Sequence, residues 1–264
     1  MRSRIAPNKK DKNSEEWKLA SKILEDFPGG SNSVLIVHAS FSSYSKADLE
    51  ANKFCNGLLS ILNGGTLLMP TMTWRTVNLK QPVFDEMKTP SHTGILSELF
   101  RLNYATNRSL HPTHSVAGIG PLSQVLLGSH QNGTTPCASN SPYGLMREYD
   151  AYALFLGNLG LEVCTAIHHC EEVMAPNIYL LPHSKCERYL LRDRKGMILE
   201  VVTRRHKKLE RDFNKFEQEL ETLGGLIREE TNSLNWMLVS LNYLYRLVFE
   251  KLSLNVKATL KGEN

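Results

Sequence analysis

Three short apolar runs, each passing into a polar loop and separated by stretches of helical periodicity, constrain this chain more than any other feature. They are Val34-Leu35-Ile36-Val37, Thr66-Leu67-Leu68-Met69 and Ala153-Leu154-Phe155-Leu156. Runs this short and this uniformly apolar suit strands buried on both faces rather than amphipathic helices. Between them the period changes. Trp17, Ala20, Leu24 and Phe27 recur at helical spacing before Pro28-Gly29-Gly30, and Leu49, Phe54, Leu58 and Ile61 do so over Lys46 to Leu62, ahead of Asn63-Gly64-Gly65. Further helices are expected over Gly94 to Leu102 and from near Thr165 to just before Pro176. Buried strands alternating with helices define an α/β fold, with a central, mostly buried sheet and helices on its faces.

The C-terminal part changes character. Lys207 to Leu223 reads as a charged amphipathic helix, and Leu234 to Leu252 as a more apolar one carrying Trp236, Leu241, Leu244, Leu247 and Val248. Gly224-Gly225 separates them. The simplest organisation is a polar, disordered N-terminus over residues 1–13 and a single domain over 14–264, with C-terminal helices from about residue 207. The apolar stripe of the last helix suits either the domain's own core or a homodimer contact.

Bulk properties narrow the function. A chain of 264 residues with 41% hydrophobic and 22% charged residues can bury a large core. No apolar run approaches the roughly 20 residues that span a bilayer, and the basic N-terminus has no apolar signal core. Five cysteines without a C-x-x-C pair point to a reducing cytoplasm and free thiols. The net charge of +4 is mild, and the one dense basic run, Arg204-Arg205-His206-Lys207-Lys208, lacks the interleaved aromatics of a nucleic-acid face.

Chemistry concentrates between Arg108 and Glu171. In an open α/β sheet, ligands sit beyond the carboxyl ends of the strands. Here those ends run into His38-Ala39-Ser40, into Thr71 and Thr73, and toward Thr165 and His168. Thr165 is a good N-cap, which places His168 in the first helical turn. The electropositive helix N-terminus disfavours an imidazolium, so His168 is a candidate neutral base. Glu171, three residues on, lies on the same face and can hold the ring in one tautomer. The competing reading of His168 is local packing or capping. A zinc site from His111, His114, Cys164, His168 and Cys170 is conceivable, but no metal-binding spacing such as H-E-x-x-H is present and no metal is expected. No G-x-S-x-G elbow, phosphate loop or dinucleotide fingerprint occurs. Cys164 and Cys170 are better read as buried structural thiols than as nucleophiles. The residues alone describe an α/β enzyme with a histidine base and leave its substrate open.

The motifs, taken in order, resemble those of the aminoglycoside 3-N-acetyltransferase family over about residues 33–213. They are Val37-His38-Ala39-Ser40-Phe41, Gly65-Thr66-Leu67-Leu68-Met69-Pro70-Thr71, Pro82-Val83-Phe84-Asp85 with Thr89-Pro90-Ser91, Arg108-Ser109-Leu110-His111-Pro112-Thr113-His114-Ser115-Val116, Ser141-Pro142-Tyr143-Gly144 and Thr165-Ala166-Ile167-His168-His169-Cys170-Glu171. The resemblance implies that family's α/β fold and direct transfer of an acetyl group from acetyl-CoA to an amine. It implies His168 as the general base, Glu171 as its support and Thr165 as a donor to the thioester oxygen. It further implies that Ser40, Ser43, Arg108, Ser109, His114 and Ser115 line the path of CoA.

One departure concerns the acceptor. Family members that act on polycationic aminoglycosides have acidic residues before the C-terminal helices, where this chain has the run Arg204 to Lys208. A cationic run facing the acceptor would repel a polycation and attract a phosphate. The sequence therefore favours an amino sugar, nucleotide-linked and destined for surface polysaccharide, with an antibiotic-modifying aminoglycoside acetyltransferase as the alternative. A ligand-binding protein without turnover is the third reading, against which the intact His168 and Glu171 stand.

Overall fold

The computed structural model of the protein describes residues 14–25, 27, 31–40, 50–229 and 235–262. The chain runs through α1 (Glu15–Ile23), β1 (Ser33–Ala39), α2 (Ala51–Ile61), β2 (Thr66–Pro70), β3 (Val83–Asp85) and α3 (Ile95–Asn103). It continues through β4 (Asn107–Arg108), β5 (Val116–Ile119), α4 (Ser123–Leu127), α5 (Pro142–Leu145), β6 (Asp150–Leu156), α6 (Ala166–Met174) and α7 (Pro176–Tyr179). The last elements are β7 (Glu187–Arg192), β8 (Ile198–Thr203), α8 (Glu217–Thr222), β9 (Leu226–Glu229), β10 (Trp236–Ser240) and α9 (Leu241–Leu254).

The three apolar runs form the centre of a seven-stranded sheet ordered β4-β5-β2-β1-β6-β10-β9. β1 pairs in parallel with both β2 and β6, while the flanking strands are antiparallel. Alternation along each strand divides the core into two layers. Val34, Ile36, Leu68, Ala153, Phe155 and Val239 pack with Ile167 and Cys170 of α6 and Leu244 and Val248 of α9. Leu35, Val37, Leu67, Leu154, Leu156 and Leu238 pack with α1, α2 and α3 through Ala20, Phe54, Leu58 and Phe100. Ser14 caps α1 by accepting from the Trp17 amide at 3.2 Å. A second, three-stranded sheet, β3-β7-β8, has a small core of Val77, Phe84, Tyr189 and Leu191.

Two C-terminal expectations need correction. The segment 207–213 belongs to no helix or strand, and only Glu217–Thr222 of the expected 207–223 helix is α-helical. Tertiary contacts decide this: Arg211 reaches Glu171, and Phe213 packs against His168. The expected 234–252 helix is two elements. Trp236-Met237-Leu238-Val239 forms β10 between β6 and β9, and the helix begins at Leu241. A short continuous apolar run has no period that separates buried strand from buried helix. The apolar stripe of α9 covers the chain's own core. The expected Lys46–Leu62 helix is observed from Ala51; residues 46–49 and the N-terminal 1–13 lie outside the described residues.

At the site-bearing edge of the sheet, β1 and β6 end side by side. The Ser40 amide donates to the Leu156 carbonyl at 2.9 Å, and Gly157 turns away with φ +84°. A Cβ at Gly157 would lie 2.7 Å from the Ser40 carbonyl oxygen. Gly157→Ala combines left-handed backbone strain with this clash and should destabilise the protein by about 2 kcal/mol. Denaturant unfolding of the variant measures it, and an unchanged midpoint would contradict the close approach.

Candidate active site

The carboxyl ends of β1, β2 and β6 open into one cavity of about 850 Å³. Val37 to Ser40 come from β1 and its exit, Met69, Pro70, Met72, Trp74 and Arg75 from β2 and its loop, and Leu159, Glu162, Thr165 and His168 from the segment after β6. His92 to Ile95 and Ser97, at the start of α3, close another side, and His114 contributes from the loop before β5. This is the position where an open parallel sheet places a ligand.

α6 presents His168 from its first turn, where the His168 amide donates to the Thr165 carbonyl at 3.1 Å. Thr165 holds the N-cap position as expected, but its backbone is already helical and its side chain makes no capping hydrogen bond. Thr165 instead belongs to the cavity lining. Residues 168 and 171 share a helix face, and His168 Nδ1 lies 2.7 Å from Glu171 Oε2. With Glu171 ionised, Nδ1 is the donor, and the lone pair is left on Nε2, which has no hydrogen-bond partner among the described residues.

Glu171 is fully buried and saturated. Arg211 Nε donates to both oxygens at 2.9 and 3.0 Å, and Thr259 Oγ1 donates to Oε1 at 2.6 Å. Burial alone would raise the carboxyl pKa, but the His168 ring and the Arg211 guanidinium outweigh it and hold Glu171 at about 2. His168 is held below its ordinary 6.5: burial disfavours the imidazolium and outweighs the pull of Glu171. The ring packs between His206, 4.6 Å away between centroids, and Phe213 at 5.3 Å.

More imidazoles surround this pair. His114 lies 5.7 Å from both His111 and His206, and His111 stacks on His130 at 4.5 Å. Burial pushes His111 and His114 well below 6.5, with neighbouring histidines adding to the effect. His38 stacks on Phe155 and is pushed by burial to about 4. The cavity wall is therefore rich in neutral rings.

The other expected residues divide. Ser40 and His114 reach the cavity. Arg108, Ser109 and Ser115 do not. Arg108 is buried and donates to the carbonyls of Thr89 (2.6 Å), Glu86 (3.1 Å) and Thr71 (3.2 Å), so it ties the β3 segment to the main sheet. Ser109 bonds His130 Nδ1 at 2.9 Å, and Ser115 donates to the Thr71 carbonyl at 2.7 Å. Ser43 lies outside the described residues. The basic run does not face the cavity as a cationic patch. Arg204 donates to the Leu181 carbonyl, Arg205 pairs with Glu187, Lys207 donates to the Asn177 carbonyl, and His206 alone turns toward His168. Sequence reasoning missed His206, Arg211, Thr259, Glu172 and the cavity residues Trp74, His92 and Glu162. Only His206 carried a usable signal, as the one titratable ring inside a run of permanent cations.

The chain belongs to the aminoglycoside 3-N-acetyltransferase family, whose pattern matches residues 36–253. That is a family of CoA-dependent N-acetyltransferases that use acetyl-CoA as co-substrate. Solved structures with a similar fold include a mutant of aminoglycoside acetyltransferase AAC(3)-IVa in complex with a gentamicin, at 20% identity and TM-score 0.75 over 93% of this chain and 90% of that one. AAC-IIIb in a binary complex with CoASH is similar at 16% identity and TM-score 0.73, over 95% and 99% of the two chains. The YokD protein from Bacillus subtilis is similar at 19% identity and TM-score 0.72, over 91% and 94%. At these identities the likeness is one of fold. No curated sequence relative matches the chain. Among the described residues, no helix is long and apolar enough to cross a membrane.

The Glu171 ion cluster has a stability consequence. Its folded pKa, about 2, lies below the ordinary 4.5, so its contribution is fully present above pH 4.5 and is lost as pH falls toward 2. The loss should amount to about 3 kcal/mol. Urea unfolding of the wild type and of Glu171→Gln across that window tests it: the variant should be less stable near neutrality and should lack this part of the acid dependence. Parallel pH profiles would contradict the assignment.

Proposed function

We propose that the protein transfers the acetyl group of acetyl-CoA directly to an amino group of an aminoglycoside-type polyamine, with His168 as the general base. The observation that carries this reading is the His168–Glu171 pair, which leaves an unprotonated Nε2 on a cavity-lining ring. Acetyl-CoA supplies the activated acyl group as a thioester. The amine must be neutral to attack, and its remaining proton must leave as the new N–C bond forms. Nε2 accepts that proton, and Glu171 stabilises the resulting imidazolium. The C–S bond then breaks, and the proton passes to the departing thiolate, so amine and thioester become amide and thiol. Thr165, beside His168 on the cavity wall, is assigned as the donor to the carbonyl oxygen as it gains charge. No acyl-enzyme is needed, because holding amine and thioester together supplies much of the acceleration.

The volume of about 850 Å³ is adequate for a pantetheine arm and the reacting part of an acceptor. Ser40 and His114, both on its wall, are the described residues assigned to that arm. An aminoglycoside-type acceptor is favoured over a nucleotide-linked amino sugar for two reasons. Arg204, Arg205 and Lys207 are turned to other partners, and among the described residues the charged ones lining the cavity are Arg75 and the exposed Glu162. The AAC(3)-IVa complex with a gentamicin supports the same choice by family analogy.

A thiol-release assay with acetyl-CoA tests the reading. Gentamicin-like amines should be turned over and a nucleotide-linked amino sugar should not; turnover of the sugar nucleotide alone would overturn the acceptor assignment. His168→Ala should lower kcat by roughly 10²–10⁴-fold. Because burial holds His168 below 6.5, wild-type kcat/KM should rise with pH through an inflection below 6.5. An inflection that persists in His168→Ala would remove His168 from the base role.

A further inference from the structure

Beside the His168 pair, and unused in the transfer step, three side chains of metal-ligand type converge. Cys137 Sγ, a carboxylate oxygen of Glu172 and a ring nitrogen of His206 all lie within 4.8 Å of one another. They come from three separate segments: the loop before α5, the α6 helix and the irregular chain after β8. The Glu172 carboxylate is held in place from both sides. Oε1 accepts from the Cys137 amide at 2.9 Å and lies 2.6 Å from His206 Nε2, while Oε2 accepts from Thr135 Oγ1 at 2.5 Å. The Cys137 thiol is buried, and its contact among the described residues is a long one, 3.8 Å to the Thr165 carbonyl.

We propose that Cys137, Glu172 and His206 form a binding site for a borderline-soft divalent cation, of which zinc is the natural example. Thiolate and imidazole select such a cation over magnesium or calcium, which prefer all-oxygen shells. Three protein ligands leave a fourth position for water. Thr135 and the Cys137 amide already orient the carboxylate, as outer partners of metal ligands do. Binding needs no redox step. The thiol proton leaves to solvent, and in the neutral ring the proton moves from Nε2 to Nδ1, so that Nε2 can face the cation. Small movements suffice, since the cation replaces the existing Glu172–His206 hydrogen bond. One consequence rests on the His168 reading: the His206 ring lies 4.6 Å from the His168 ring, so an occupied site adds positive charge beside the base and should inhibit transfer. The cation site itself does not depend on that reading.

Co²⁺ titration of the chelator-treated full chain, kept reduced with a phosphine, tests the site directly. One equivalent should bind with a near-ultraviolet thiolate charge-transfer band and the visible bands of a tetrahedral site, and Zn²⁺ should displace it. Cys137→Ser should abolish the near-ultraviolet band and weaken binding at least tenfold. Cys186→Ser, at the one cysteine that is not buried, should leave both unchanged. Thr135→Val should weaken binding by roughly tenfold, the effect of loosening an outer partner. No charge-transfer band in the wild type, or one that survives in Cys137→Ser, overturns the proposal. If circular dichroism shows Cys137→Ser to be unfolded, His206→Asn decides instead: Co²⁺ affinity equal to wild type overturns the site, and a loss of at least tenfold supports it.

Discussion

A single buried carboxylate organises this molecule. Glu171 has no exposure to water, yet it is ionised, because His168, Arg211 and Thr259 together supply the hydrogen bonds and charge that burial removes. Those partners come from widely separated parts of the chain. Arg211 fixes the segment after β8 against α6, and Thr259 fixes the residues beyond α9. The Thr259 hydroxyl oxygen also lies 2.7 Å from the Tyr179 hydroxyl, extending the tie to α7. Removing one partner would leave a buried charge undercompensated, and such changes cost far more than the pair contributes over an apolar replacement. The same carboxylate therefore closes the fold around α6 and sets the tautomer of the ring at its tip.

Burial does complementary work on the imidazoles. His38, His92, His114 and His168 are all pushed toward their neutral forms. A cavity edged by uncharged rings accepts protons and does not repel a cationic amine as a ring of imidazolium ions would. The parallel arrangement of β2, β1 and β6 is what brings these groups together, because their carboxyl ends deliver loops to one edge of the sheet. Arg108 serves that arrangement from a distance by tying the loops after β2 and β3 to each other.

Much of this was legible in the sequence. The runs at Val34, Thr66 and Ala153 are uniformly apolar because both faces of their strands are covered, and they became the three central strands. The spacing of His168 and Glu171 placed them on one helix face, and their contact follows directly from it. What failed did so for identifiable reasons. Trp236 to Val239 has no period that tells strand from helix, and its place in the sheet is set by contact with Phe155 and Ile227 across β6 and β9. The resemblance puts Arg108 on the path of CoA; only three dimensions show its guanidinium turned to the carbonyls of Thr71, Glu86 and Thr89. The basic run reads as one patch in the sequence, whereas Arg204, Arg205, His206 and Lys207 go to different partners in the fold. Arg211 and Thr259 could not have been assigned, because nothing local in their segments marks a partner 40 or 88 residues away.

Both the tautomer set by Glu171 and the proton transfer assigned to Nε2 turn on the state of the His168 ring. Nitrogen-15 NMR of histidine-labelled protein, with His168 assigned by comparison with His168→Gln, reads that state through a pH titration. The expected result is a neutral ring protonated at Nδ1 at neutral pH, taking up its second proton only below 6.5. A ring protonated at Nε2, or an imidazolium persisting above pH 6.5, would contradict the base assignment.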